Sequence, residues 1–380
     1  MKWKIPLYRI FTDEDDKKLI SKVLERGMDW AIGPEILRFE KSLAKYVGSK
    51  YCLTFNSGTS ALHASLLSGG ITQNNEVIVP SFSFIATSNA PLMVNAIPKF
   101  VDIEKETLGL DPNLIPQAIT KKTKAIIPVH YAGIPCKIEE ISQIASKRKI
   151  LLIEDAAESL GSNINKKMIG TFGDIGIFSF AGNKVLTTGE GGAIVTDSKQ
   201  IFERLKLIRS HGREENSSYF SSVSAPKYVS IGYNWRMSSI TAALALSQLK
   251  KLNKLIILRR RNAKFLSSKL KKHPEIFVPI EPKGYRHVYQ LYSIILENNK
   301  IRNNLKDFLT KKGIMSKVFF EPIHLTDFYK KQILKKQVSL KNTENISSKI
   351  LTIPMFPGLL KSELEYICES INEFFEKNNN

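Results

Sequence analysis

The sequence predicts an α/β fold, a mostly parallel seven-stranded sheet with helices on both faces, followed by a smaller α+β C-terminal domain. Between residues 50 and 200, short apolar runs recur at 51–55, 76–80, 97–101, 125–130, 150–155, 174–180 and 192–196. Several are rich in β-branched residues and apolar throughout, the pattern of strands buried on both faces. The segments between them carry helical period, and strand–helix alternation builds a parallel sheet covered on both sides. Beyond residue 250 the alternation gives way to a long, basic helical pattern.

Each element has a local reason. Phe39, Leu43, Tyr46 and Val47 share one helical face, and Gly48 follows where a left-handed cap ends a helix. Ile138, Ile141, Ile144 and Ala145 form a second such stripe. After Ser238, Ile240, Leu244, Leu246 and Leu249 open a long helix that runs into Lys250, Lys251 and Lys254. This helix is expected to join a large domain, residues 1–249, to a small one, residues 250–380. Arg259, Arg260 and Arg261 read as its solvated face. In the small domain, strands are expected at 289–296 and 316–320. The last helix begins at Ser362-Glu363-Leu364-Glu365, a capping-box pattern. It buries Leu364, Ile367, Cys368, Ile371 and Phe375, and residues 377–380 are expected to fray.

Composition removes several classes of function. A chain of 380 residues with 43% hydrophobic and 24% charged residues supports a sizeable core. No apolar run approaches the ~18 residues of a membrane span. Cys52, Cys136 and Cys368 are too few and scattered for a disulfide framework or a closed zinc site, so no metal is expected. Residues 1–6 lack a secretory apolar block, which points to a reducing, cytoplasmic compartment. The charge is unusual: 56 Lys+Arg against 36 Asp+Glu gives +20. Such a balance suits nucleic acid, a membrane surface or anionic small molecules. The basic residues are spread along the chain, without zinc-finger spacing, RNP-type aromatics or a basic tail. A basic solvated surface without nucleic-acid or membrane binding is the expectation.

Four motifs carry chemistry. Asn56-Ser57-Gly58-Thr59-Ser60-Ala61-Leu62 follows a strand and opens a helix. Free amides there bind anions, and glycine lets a phosphate approach, although an ordinary N-cap uses the same residues. Ile153-Glu154-Asp155-Ala156-Ala157-Glu158 closes an apolar run with carboxylates at a strand's C-terminal end, where open α/β sheets bind ligands. A helix-start acid is the alternative. In Phe178-Ser179-Phe180-Ala181-Gly182-Asn183-Lys184, followed by Gly189-Glu190-Gly191-Gly192, a lysine lies between a buried strand and a glycine-rich turn. Among apolar groups a lysine becomes a Schiff-base nucleophile; elsewhere it is a surface loop residue. Pro80-Ser81-Phe82-Ser83-Phe84 places an aromatic just past a strand, for stacking on a flat ring or for the core.

Together these define a site for one molecule. It has a phosphate for Gly58, Thr59 and Ser179, a flat ring for Phe84, a ring nitrogen for Asp155 and an aldehyde for Lys184. That molecule is pyridoxal 5'-phosphate. The motif order, with Trp30-Ala31-Ile32-Gly33-Pro34, Phe39-Glu40, Gly232-Tyr233-Asn234-Trp235-Arg236-Met237-Ser238 and Glu321-Pro322-Ile323-His324, resembles the DegT/StrS family of sugar aminotransferases. The likeness runs through nearly the whole chain, and Glu-Asp-Ala-Ala-Glu is similar to perosamine-synthase-like members.

The resemblance implies a fold-type-I pyridoxal phosphate enzyme. It assigns Lys184 to the Schiff base, Asp155 to the ring nitrogen, Gly58, Thr59 and Ser179 to the phosphate, and Phe84 to ring stacking. Glu158 stands where many members carry Gln, near the ring hydroxyl. Asn234 matches a residue that reaches the neighbouring subunit's phosphate, which implies a homodimer with shared active sites. The implied reaction moves an amino group from glutamate to a nucleotide-linked 4-keto-6-deoxy sugar for surface glycans, with pyridoxamine 5'-phosphate as the intermediate form. His324 and Arg236 are candidate substrate contacts; His130, His211, His287, Tyr131 and Lys317 are unassigned. Amination at a 3-keto position, a dehydratase and a non-catalytic cofactor-binding regulator are the alternatives. In the dehydratase branch the lysine is replaced by histidine, whereas this chain keeps Lys184. A nicotinamide dehydrogenase would need a Gly-x-Gly-x-x-Gly after a strand, which the relevant region lacks.

Overall fold

The computed structural model describes residues 3–214, 225–334 and 336–378. Seven strands form the central sheet: β1 (Tyr51–Phe55), β2 (Glu76–Pro80), β3 (Ile97–Val101), β4 (Thr123–Ile126), β5 (Leu151–Asp155), β6 (Ile175–Ser179) and β7 (Gly192–Thr196). Their order is β1-β7-β6-β5-β4-β2-β3. Strands β6, β5, β4, β2 and β3 pair in parallel, and β7 runs antiparallel between β1 and β6. The run at 125–130 leaves the ladder after Ile126. Pro128 has no amide to donate, and only Val129 bridges back, to Asp155.

Helices α1 (Glu14–Glu25), α2 (Pro34–Val47), α3 (Gly58–Ser68), α4 (Ala86–Met93), α5 (Ile115–Ala118), α6 (Ile138–Arg148) and α7 (Lys199–Arg209) surround this sheet. Phe39, Leu43 and Val47 of α2 and Ile138 and Ile141 of α6 join one core cluster, while α3 packs in a second with β1, β2 and β6. Gly48 ends α2 in the left-handed region, at φ 82. A side chain there carries a steric penalty that glycine avoids.

Helix α8 (Ser239–Leu270) is 32 residues long, and the Ser238 hydroxyl caps it at the Thr241 amide. It crosses residue 250 without a break. The division at 249/250 is a proposal, and N-terminal Ile5 packs in the C-terminal cluster with Ala263, Leu266 and Leu270.

The C-terminal part contains an antiparallel sheet of Ile276–Phe277, Tyr292–Leu296 and Ile350–Ile353, with α9 (Asn299–Lys311), α10 (Lys341–Lys349) and α11 (Lys361–Asn378). Here three expectations change. Residues 316–320 are not a strand: Lys317 makes a single bridge to Thr352, and the chain then turns so that Phe319 and Phe320 reach a cavity at the edge of the central sheet. Helix α11 starts at Lys361, so Ser362 lies inside its first turn, and the Glu363 carboxylate takes the Leu360 amide at 3.0 Å. The helix extends through Lys377 to Asn378, and the last two residues lie outside the described ones.

The arginine run is not a solvated face. Arg259 is 3% exposed and donates from Nη1 to the carbonyls of Tyr289, Gln290 and Met355 at 3.2, 3.3 and 3.0 Å. Burial pushes its pKa down to about 10. Arg260 grips Glu281 at 2.6 and 3.0 Å, and Arg261 is the exposed member.

Candidate active site

The C-terminal ends of β1, β2, β5 and β6, with the segment after β4, meet around a cavity of about 340 Å³. Open α/β sheets bind ligands at this edge, where strand ends and helix starts converge. Gly58, Thr59, Phe84, Asp155, Glu158, Ser179 and Lys184 all line it, so the structure brings together seven residues scattered over 127 positions of sequence.

Helix α3 starts at the cavity. Ser57 caps it by accepting the Ser60 amide at 3.1 Å, while Ser60 Oγ accepts the Ser57 amide at 3.2 Å. The hydroxyls therefore serve the cap, and the amides of Gly58 and Thr59 remain for an anion. A Cβ on Gly58 would lie 2.9 Å from Cβ of Ser179. Glycine is needed here because the first turn of α3 presses on the end of β6.

Strand alternation splits the acidic pair at the end of β5. Glu154 turns away from the cavity and is 0% exposed. It accepts the amides of Gly170, Phe172 and Gly173 at 2.9, 2.6 and 2.7 Å and the imidazole Nε2 of His130 at 3.1 Å. Nδ1 of His130 accepts the Cys136 amide at 3.1 Å, so Nε2 carries the donated proton. Both groups are structural. Asp155 faces the cavity, where burial raises its pKa while the Thr87 hydroxyl and the Ala157 amide oppose that rise.

Lys184 lies in the loop between β6 and β7. Its Nζ is 3.6 Å from Oε1 of Glu158, whose Oε2 accepts the Ala132 amide at 2.8 Å. Phe84 is 60% exposed and stands at the mouth with Phe320, ring centres 6.5 Å apart.

The remaining candidates lie elsewhere. Asn234 is exposed, bridges Ser210 through its backbone and does not line this chain's cavity. Arg236 donates to Ser210 Oγ at 3.2 Å. His324 is 1% exposed: its amide donates to Ser81 Oγ at 2.9 Å, that hydroxyl donates to Nδ1 at 2.7 Å, and Nε2 donates to Glu344 at 3.2 Å. It pins the 323–325 turn to the end of β2. His287 and Tyr131 are buried in similarly complete contacts, and Lys317 lies over the Phe319 ring. His211 is an exposed turn residue at φ 60.

Sequence reasoning missed Thr87, Ser83, Glu190 and the Phe319–Phe320 wall, all lining the cavity. Their position just past strand ends was the available signal for Ser83 and Thr87. Nothing local marked Phe319 and Phe320, whose apolar pattern reads as a strand. Among the described residues no group of His, Cys, Asp and Glu forms a metal site, and no helix is long and apolar enough to cross a membrane.

Known proteins resemble this chain over nearly its whole length. GDP-perosamine synthase of Escherichia coli O157:H7 is 36% identical over 371 residues, 98% of each chain. The Helicobacter pylori aminotransferase PseC, involved in the biosynthesis of pseudoaminic acid, superposes with a TM-score of 0.90 at 30% identity, covering 99% of this chain and 100% of that one. E. coli GDP-4-keto-6-deoxy-D-mannose-3-dehydratase, solved with bound hydrated pyridoxal phosphate, gives 0.88 at 30% identity, covering 97% and 100%. The cofactor is pyridoxal 5'-phosphate, and the cavity fits it: an amine, a strand-end carboxylate and a helix start pressed against Ser179 surround one space. The model of the DegT/DnrJ/EryC1/StrS aminotransferase family matches residues 11–372, and the chain belongs to that family.

Proposed function

We propose that this enzyme transfers the amino group of glutamate to the 4-keto carbon of a nucleotide-linked 6-deoxy sugar, with GDP as the nucleotide. The observation that carries the reading is Lys184 and Asp155 facing one cavity beside the helix start at Gly58. The sugar and nucleotide follow the relative that covers 98% of the chain.

Each residue has a physical task. The amides at the start of α3 and the Ser179 hydroxyl hold the phosphate dianion. Phe84, at the cavity mouth, would cover one face of the ring. Asp155 would accept from the ring nitrogen and keep it positively charged. Pyridoxal phosphate, when bound, would supply an electron-withdrawing ring and an aldehyde able to carry an amino group between donor and acceptor. Lys184 Nζ would hold the aldehyde and, as a free amine in the same cavity, would serve as the proton-carrying base. The nearby Glu158 carboxylate orients that amine at 3.6 Å. Preorganised charge of this kind is usually the largest catalytic contribution.

A homodimer with shared sites completes the reading. Asn234 is exposed and does not line its own cavity, which suits a reach to the partner's phosphate. All three cysteines are free and buried, in keeping with a reducing cytoplasmic setting.

The direct test is a panel of GDP-, UDP-, dTDP- and CDP-linked keto sugars incubated with glutamate and read by product mass. A 4-amino GDP sugar is expected. Glutamate alone should release 2-oxoglutarate, which separates an aminotransferase from a dehydratase. Lys184→Ala should abolish the visible band of the bound cofactor and lower turnover by at least ~10²–10⁴-fold. A normal band with normal turnover in that variant would refute the assignment.

A further inference from the structure

Asp155 must stay anionic and aimed while only 4% exposed. Among the described residues it forms no ion pair. Its Oδ1 accepts the Ala157 amide at 3.2 Å, and its Oδ2 accepts the Thr87 hydroxyl at 2.7 Å. A carboxylate only accepts, so the Thr87 proton points to Asp155. The 2.8 Å contact between Ser83 Oγ and Thr87 Oγ1 therefore has Ser83 as donor. Both hydroxyls are buried, at 3% and 1% exposure, so water does not substitute for them freely.

Two charged or titratable neighbours, Lys184 and His130, also favour the carboxylate, but among the described residues neither hydrogen-bonds or ion-pairs with it, so neither aims it. His130, beyond β4, directs its protonated nitrogen to Glu154 on the other face of β5. Lys184, after β6, is paired with Glu158, after β5. From α4 and the turn before it the carboxylate meets neutral hydroxyls alone.

We propose that Thr87 and Ser83 are positioning residues for transamination, a two-hydroxyl relay that fixes the Asp155 carboxylate in the orientation and charge state that serve the cofactor's ring nitrogen. The relay rests on the assignment of Asp155 made above. It also explains why one segment does two jobs. Residues 83–87 place Phe84 at the cavity mouth and the Thr87 hydroxyl on Asp155, so stacking on the ring and the ring's charge would be set by the same backbone. The opposite end of that segment is held by the bonds of His324 to Ser81.

The test uses the full-length enzyme loaded with pyridoxal phosphate, with Thr87→Val, Thr87→Ser and Ser83→Ala. Two readouts are followed against pH: absorbance of the bound cofactor without substrates, and kcat/KM. Losing a donor to a buried carboxylate makes that carboxylate easier to protonate. In Thr87→Val the acidic limb of both profiles should move up by about one to two pH units, a roughly 10–100-fold change in proton affinity. Thr87→Ser, which keeps the hydroxyl, should restore the wild-type limb. Ser83→Ala should shift it in the same direction by less, and it decides the matter if Thr87→Val does not fold. Unchanged profiles in Ser83→Ala and in folded Thr87→Val would overturn the relay, as would a Thr87→Ser variant as impaired as Thr87→Val, which would mean that Thr87 only packs. If Asp155→Asn leaves the wild-type spectrum unaltered, the assignment of Asp155 fails and the relay falls with it, a result distinct from the two preceding ones.

Discussion

Neighbouring carboxylates in β5 have opposite duties, and side-chain substitutions separate them. Glu154 divides four donors between its two oxygens. Glu154→Gln leaves one acceptor oxygen, so about two buried donors lose their partner, at roughly 1–3 kcal/mol each. The melting temperature should fall clearly. Asp155→Asn should cost most of the activity with little change in melting, because the space beside it holds the cofactor. Calorimetry and turnover on both variants distinguish these outcomes. A third residue links stability to pH. Burial pushes His287 from 6.5 down to about 3, so the folded state disfavours its protonation. The unfolded chain then binds more protons between those values, and stability rises with pH across that window. Its contribution is complete above pH 6.5 and is lost progressively as pH falls toward 3. Denaturant titrations at pH 7.5 and 5 should show a smaller difference in His287→Asn than in the wild type.

At the level of elements, the start of α3 makes the sharpest prediction. Gly58→Ala drives a methyl to 2.9 Å from Ser179 Cβ and separates the two groups that flank the phosphate. Cofactor affinity should fall about 10-fold or more, measured by equilibrium dialysis, while the fold survives because α3 keeps its Ser57–Ser60 cap. The same element shows what was legible beforehand. Strands β1, β2, β3 and β7 coincide with their apolar runs; β7 is buried along its whole length and gives an uninterrupted hydrophobic signal, while edge strand β3 reads through its β-branched ends despite an exposed Ile97 and a half-buried Lys99. Lys184, Asp155 and Gly58 were readable because glycine and strand-end charge are unusual where they stand. The C-terminal region was less readable. Ile350–Ile353 was missed because it follows α10 without a turn residue, and its four apolar-leaning positions continue a helical pattern. Arg259 and His324 owe their roles to distant carbonyls, hydroxyls and carboxylates, contacts that leave no local trace. A basic run on a helix therefore resembled a wet surface, although Arg259 and Arg260 bind groups far along the chain and only Arg261 is exposed.

For the whole molecule, the net charge of +20 is not concentrated where chemistry takes place. The charged side chains lining the cavity are Lys184 against Asp155, Glu158 and Glu190. An anionic sugar nucleotide needs cations from beyond that wall, which favours a site completed by a second copy. Mixing Lys184→Ala with Asn234→Asp subunits tests this directly. If Asn234 serves the partner's site, each mixed dimer has one intact site. Random pairing then recovers about a quarter of wild-type activity from two inactive parents, and no recovery would exclude sharing. The pairing of β6 with β7 has one further consequence. Ser179 is in register with Gly192, the Phe180 amide donates to the Gly191 carbonyl, and the Thr188 amide donates to the Phe180 carbonyl. Lys184 thus hangs from a leash knotted at both ends, so the reach of its amine is the length of its own methylene chain and not the slack of a loose loop.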